Sequence, residues 1–376
     1  MSERDDVPLL DLRAQHESLD GAVEQAVLRV VRSGQYILGE EVAAFEREVA
    51  EHLQAEHAIG VSSGTDALLA ALMCLEVGPG DEVVTTPFSF FATAGCVARV
   101  GARPVFVDIR PDTFNLDVTQ LEGALTQRTK AIVPVHLFGQ LAEMDPLRAI
   151  AAAREVPIVE DAAQALGARC DAHRVGQGTA LACFSFFPSK NLGALGDGGL
   201  VTTDDAELAE RMRIIRAHGS RPKYYHHVVG GNFRLDAIQA AALRAKLPHL
   251  EAWSQTRRDN AARYDRWFAD AGLAPERLTT PARLCDGHVY NQYVIRTDRR
   301  DGLQEHLRAR GIASAIYYPL ALHRQPCFAN LGLAEGTFPE AERAASEVLA
   351  LPVFAELGEA RQRRVADAVI DYLSAE

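Results

Sequence analysis

From about residue 58 to residue 160 the chain alternates short apolar runs with stretches of helical periodicity. Runs at 58–63, 82–86, 104–109, 130–136 and 157–160 are rich in Val, Ile and Ala. Between them lie helical patterns at 65–75, 91–100, 117–125 and 144–155. Strands that read as continuous apolar runs are buried on both faces, and parallel neighbours need helical crossovers. This feature predicts an α/β architecture: a parallel sheet flanked by helices.

The pattern changes on either side. Ahead of it come a polar lead-in, a helix near 15–32, a turn at Ser33-Gly34 and a helix at 40–53. Behind it, strands are expected at 182–187 and 199–203 and a helix at 205–217, before an irregular, aromatic and basic stretch over 218–233. Long helices follow at 235–246 and 250–272. The tail reads as a strand at 289–296, a helix at 301–310, a strand at 312–318 and helices at 338–350 and 358–374. The expected division is an N-terminal arm and helix (1–40), a large α/β domain (41–260) and a small C-terminal α+β domain (261–376).

Charge narrows the function. With 51 acidic and 39 basic residues the chain carries −12, a poor match for nucleic acid or anionic lipid. It lacks an uncharged apolar run long enough to span a bilayer, and its acidic start lacks a secretory h-region. Six scattered cysteines without a CxxC pair read as reduced thiols in a cytoplasmic protein. Metal is not expected: His226-His227 lacks helical zinc spacing, and there is no HExxH.

Three stretches carry chemistry. Ser62-Ser63-Gly64-Thr65-Asp66 joins a strand to a helix, where free N–H groups and the helix dipole attract phosphate. Helix capping by Ser63 or Thr65 is the plainer alternative. Gly60-Val61-Ser62-Ser63-Gly64 also fits the loose G-x-S-x-G elbow of serine hydrolases. Second, the strand Ile158-Val159 ends in Glu160-Asp161, with Gln164 just beyond. Ligands of open α/β sheets sit beyond such carboxyl ends, so Asp161 is placed to meet a cationic ring nitrogen, or else caps the next helix. Glu160 should face the other way. Third, Ser185-Phe186-Phe187-Pro188-Ser189-Lys190 runs into a glycine-rich stretch, Asn191 to Gly199.

Lysines are scarce: Lys130, Lys190, Lys223 and Lys246 are all there are. Lys130 follows Arg128 at a strand start, Lys223 lies in a basic loop, and Lys246 reads as lying on a polar helix face. Lys190 alone has aromatic residues before it and a glycine loop after it, surroundings that lower an amine's pKa. A phosphate cup, a strand-end Asp and such a lysine, in this order, meet the needs of pyridoxal 5′-phosphate: N–H donors, a carboxylate for the ring nitrogen and an amine for the aldehyde.

The chain resembles the DegT/DnrJ/EryC1/StrS sugar aminotransferases. The resemblance runs from Leu10-Asp11-Leu12 nearly to the end. It is densest at Gly34–Gly39, Val61–Leu68, Gly78–Val83, Val159–Gln164, Phe184–Gly199 and Gly231–Gln239. It implies the fold-type-I aspartate-aminotransferase architecture, an α/β fold whose large domain has a mixed, mostly parallel sheet flanked by helices, and a pyridoxal-phosphate enzyme. By resemblance, Lys190 holds the cofactor, Asp161 pairs with the ring nitrogen and Gln164 approaches the ring hydroxyl. Gly64, Thr65 and Ser185 bind the phosphate, and Phe90 stacks on the ring. Asn232 reaches the phosphate from a neighbouring subunit, which implies a homodimer with shared sites. Phe187 departs from the family, where a polar aromatic residue often precedes the proline.

The same resemblance implies transamination from an amino acid, L-glutamate, to a keto sugar carried by a nucleotide diphosphate. The segment Tyr224–Gly230 is similar to members that aminate C-3 of dTDP- or UDP-linked sugars; a 4-keto sugar or a keto-cyclitol is the alternative. Arg216, His218, Tyr224, Tyr318 and His323 are the expected substrate contacts, the first three from a locally basic loop suited to phosphates. Two rivals stand apart. A serine hydrolase would use Ser62, Asp161 and His218 and leave Lys190 unexplained. A regulator would bind the cofactor without moving nitrogen. Relatives that dehydrate sugars replace the lysine with histidine, which Lys190 argues against.

Overall fold

The structure, a computed structural model, describes residues 6–170 and 173–375. The first residues of the acidic lead-in, 1–5, lie outside the described residues.

The alternating region folds as β1 (His57–Val61), β2 (Glu82–Thr85), β3 (Arg103–Phe106), β4 (Thr129–Val133) and β5 (Val159–Asp161). A short antiparallel hairpin, β6 (Arg169–Cys170) with β7 (His173–Arg174), precedes β8 (Leu181–Ser185) and β9 (Gly199–Thr203). One sheet has the order β1-β9-β8-β5 and another β3-β2-β4. Parallel bridges Ile132–Ile158 and Val135–Asp161 align β4 beside β5, so the two run on as one surface. Strand β9 is antiparallel to both its neighbours, while the pairs β5–β8, β2–β4 and β2–β3 are parallel.

Helices cover both faces. On one side α2 (Ala22–Ser33), α3 (Glu40–Leu53) and α9 (Ala237–Lys246) pack on Ala182, Phe184 and Leu200. On the other, α4 (Gly64–Cys74), α5 (Ala92–Arg99) and α8 (Ala206–Ile215) pack on Leu181, Cys183 and Val201. Successive residues of β8 thus enter opposite cores, as the alternation of side chains along a strand requires. Each large apolar side chain buried this way contributes about 1.5–3 kcal/mol.

Short α1 (Leu12–Glu17), α6 (Leu121–Ala124) and α7 (Met144–Ala153) complete this part. Helix α10 (Leu250–Asp270) gives Leu250 and Trp253 to the first core and Ala261, Tyr264 and Phe268 to another. That further core gathers antiparallel β10 (Tyr293–Arg296) and β11 (Val348–Leu351) with α11 (Arg300–Ala309) and α13 (Glu359–Ser374). Val7 from the N-terminal arm is fully buried within it.

Several elements differ from expectation. The helix expected over 15–32 is broken at Asp20-Gly21, both with positive φ, and α1 ends before it. The helix expected over 338–350 is α12 (Pro339–Glu347), after which Val348 starts β11. Pairing with β10 there outweighs helical propensity. The segment 312–318 forms only single bridges, Val7–Ile312 and Ala315–Ala350. Nor are all the thiols free: Cys170 and Cys285 form a disulfide across a separation of 115 residues. Spacing offered no sign of this, because the contact is made by the fold.

Candidate active site

The carboxyl ends of β1, β5 and β8 converge. Val61 and Ser185 both pair with Gly199 at the start of antiparallel β9, which draws two of these ends together. The chain leaves β1 through Ser62-Ser63 into α4, where Ser63 caps the helix by accepting from the Asp66 N–H at 3.0 Å. Close packing here demands glycine. A Cβ on Gly64 would lie 2.6 Å from that of Ser185, and one on Gly199 would lie 2.4 Å from the Ser63 carbonyl. Helix N-terminus and Ser185 are therefore in van der Waals contact, with Thr65 one residue further on.

Asp161 ends β5 and is buried. Its Oδ2 accepts from Thr93 Oγ at 2.7 Å and its Oδ1 from the Ala163 N–H at 3.2 Å. Burial pushes the carboxyl above its ordinary value, against these hydrogen bonds and the charge of Lys190. Lys190 is partly buried as a residue, but its ammonium is deep enough that desolvation lowers its pKa to about 8, with Asp161 opposing. Two charged groups 29 residues apart in sequence thus act on each other inside the fold.

Glu160 faces the opposite way. Its carboxylate and His136 are both fully buried. His136 Nδ1 accepts from the Ala142 N–H at 3.1 Å, so the ring proton sits on Nε2 and is given to Glu160 at 2.8 Å. Burial alone would raise the Glu160 carboxyl; bonds from His136, the Gly176 N–H and Thr179 hold it below its ordinary value.

Gln164 is buried and fixed at both ends. It accepts from the Phe138 N–H at 2.6 Å and donates to Tyr318 Oη at 3.1 Å. Tyr318 also lies 6.3 Å, ring to ring, from Phe90. The Phe90 side chain is 58% exposed, unusual for a phenylalanine and suited to a flat ligand.

The remaining candidates are scattered. Arg216 is buried, donating to Glu46 and to the Gly60 carbonyl, where it ties α3 to β1. His323 is buried and bonded to Glu342 at 2.9 Å, its ring edge-on to Phe338. Both sit as packing elements in this chain. His218 and Tyr224 are exposed on the loop 218–230, and Asn232 is exposed just after it. Ser62 donates to Asp66 at 2.7 Å rather than to a histidine, so the hydrolase elbow has no base. Among the described residues there is no cluster of three or more His, Cys, Asp or Glu able to hold a metal.

Sequence reasoning missed four supports. Thr93 and Ser89 stand behind Asp161, and nothing in their local pattern marks them. Asn191, next to Lys190, donates to the Val289 carbonyl and accepts from Asn291. Lys246 is buried, not on a polar face, and its Nζ donates to the Gly193 carbonyl at 2.8 Å, bracing the glycine loop.

These residues fit pyridoxal phosphate. The glycine-lined helix start provides N–H donors, the open Phe90 face a ring platform, and Asp161 and Lys190 the two charged partners. Comparison with known proteins agrees. The profile of the DegT/DnrJ/EryC1/StrS aminotransferase family matches residues 17–370. A "pleiotropic regulatory protein" of Geobacillus stearothermophilus is 51% identical, covering 97% of this chain and 98% of its own. A dTDP-3-amino-3,4,6-trideoxy-alpha-D-glucose transaminase of Streptomyces venezuelae is 46% identical, covering 97% and 96%. The crystal structure of DesV from S. venezuelae, in complex with a ketimine intermediate, superposes with a TM-score of 0.94 at 45% identity, covering 99% of each chain. Motifs, fold and site agree: the chain belongs to the DegT/DnrJ/EryC1/StrS family and is a pyridoxal-phosphate-dependent aminotransferase.

Proposed function

We propose that this enzyme moves an amino group from L-glutamate to the keto carbon of a sugar carried on a nucleotide diphosphate, at C-3 of a dTDP- or UDP-linked sugar. The name of the Streptomyces transaminase supports the nucleotide-sugar class and the 3-position. The observation that carries the reading is the pair Lys190 and Asp161, an amine that burial brings down to about 8 within electrostatic reach of a buried carboxylate at the end of β5.

Gly64, Thr65 and Ser185 would hold the cofactor's phosphate, Gln164 and Phe90 its ring, and Asp161 its ring nitrogen. Bound there, pyridoxal phosphate supplies an aldehyde that accepts nitrogen and a ring that draws electrons. Lys190 supplies the amine that anchors it. Near neutral pH that amine is partly unprotonated, so it can take up and return a proton as general base and acid. Gln164, clamped between Phe138 and Tyr318, fixes one edge of the site.

Tyr318 is the sugar-facing residue best supported, through its contact with Gln164. The exposed His218 and Tyr224 suit the diphosphate. Arg216 and His323 are engaged elsewhere and would act through neighbours. Exposed Asn232 would reach the phosphate of a second copy in a homodimer. A cytoplasmic setting is supported by the sugar-aminotransferase family; no helix among the described residues is long and apolar enough to cross a membrane. The disulfide is unusual for that compartment.

The test is direct. Borohydride should fix the cofactor to Lys190, read by peptide mass. Incubation with glutamate and a panel of keto nucleotide sugars should yield 2-oxoglutarate and one amino sugar. The name of the Geobacillus relative favours one second reading, a regulator. A single turnover with glutamate that leaves the cofactor unaminated would select it.

A further inference from the structure

The Asp161 carboxylate is held by more than the backbone. Thr93 lies in the first turn of α5, three residues after Phe90. Its hydroxyl gives its proton to Asp161 Oδ2 at 2.7 Å, since an ionised carboxylate can only accept. The Thr93 oxygen in turn lies 2.8 Å from Ser89 Oγ, which must then be the donor of that bond. Ser89, Thr93 and Asp161 are all buried, so these hydrogen bonds are shielded from bulk solvent. With Ala163 N–H on Oδ1, the carboxylate is gripped at both oxygens, and its plane is fixed. The same helix places Cys96 Sγ against the Thr65 carbonyl, so α5 touches both ends of the site.

We propose that Thr93 is a positioning residue for the amino-transfer reaction: through its hydroxyl, with Ser89 behind it, it orients Asp161 and keeps that carboxylate ionised toward the cofactor's ring nitrogen. The inference rests on the reading that places Asp161 at that nitrogen. It deepens that reading with two residues outside the cofactor's own contacts. A hydrogen bond from a neutral donor favours the charged carboxylate, whereas burial works against it. Without the Thr93 proton, burial acts with less opposition. The carboxyl would then take up a proton more readily, and the ring nitrogen would lose its anionic partner.

The experiment compares two ligands on protein stripped of cofactor: pyridoxal phosphate, and its deaza analogue with carbon in place of the ring nitrogen. Thr93→Val keeps the shape and removes the donor. It should weaken pyridoxal phosphate about tenfold and leave the analogue's affinity unchanged. Thr93→Ser should restore the wild-type value. Equal weakening of both ligands would show a merely structural role and overturn the proposal, as would no weakening of either. Asp161→Asn is the control. If it fails to discriminate the ligands, the placement of Asp161 itself falls. If it discriminates and Thr93→Val does not, only the role of Thr93 falls.

Discussion

Lys190 is the residue on which the chemistry turns, and its behaviour with pH follows from its surroundings. Its pKa is lowered from 10.5 to about 8 by burial. Only the neutral amine attacks an aldehyde, so capture of cofactor by the stripped protein should rise about fivefold between pH 7 and pH 8 and then level off. An unperturbed lysine would go on gaining well past pH 9. Asp161 opposes the lowering, so Asp161→Asn should move the profile to lower pH. Stopped-flow absorbance of cofactor uptake measures both. Lys190→Ala should remove the covalent bond to the cofactor and slow transamination by at least about 10²–10⁴-fold, the range for a lost acid–base group. Turnover kinetics and borohydride trapping check that loss.

At the level of elements, the cofactor site is a junction of a helix start with a strand end, and glycine permits it. Gly64→Ala would push a methyl into Ser185. Relieving that clash moves the first turn of α4 and its N–H groups by a few tenths of an ångström or more. Overpacking of this kind costs about 1–3 kcal/mol. The expected result is binding of pyridoxal phosphate weakened about tenfold with little change for pyridoxal, which lacks the phosphate; fluorescence titration of both ligands decides it. The strands and helices of this region were legible because burial on both faces leaves an unbroken apolar signature, and because Ser63 and Asp161 sit at element ends and Lys190 lies in the glycine-rich loop after β8. What stayed hidden was set by tertiary contact. Val348–Leu351 has the composition of a helix end but pairs with β10. Lys246 looks like surface until the Gly193 carbonyl is seen above it. Thr93 is an ordinary helix residue until the fold carries it across to Asp161.

Across the whole molecule, the core beneath α2, α3 and α9 and the core around β10 and β11 meet through α10 and through the segment 284–291. That segment runs beside the site: Val289 and Asn291 hold Asn191, and the Val289 N–H donates to the Gly139 carbonyl at 3.0 Å. At its start Leu284 N–H donates to Gln140 Oε1 at 2.9 Å, and Cys285 is joined to Cys170 at the β6–β7 hairpin. The disulfide and the hydrogen bonds act on different states. Closing a loop of 115 residues restricts the unfolded chain, an effect of about 3–5 kcal/mol in the loop-entropy account. The hydrogen bonds fix the segment in the folded state, and they remain when the sulfur link is gone. Cys285→Ser, or reduction of the wild type with a dithiol, should therefore lower the denaturant midpoint. The turnover number and the absorption of bound cofactor should stay as they were. A fall in turnover at unchanged stability would mean instead that the sulfur link itself holds Asn191 and the Lys190 loop in place.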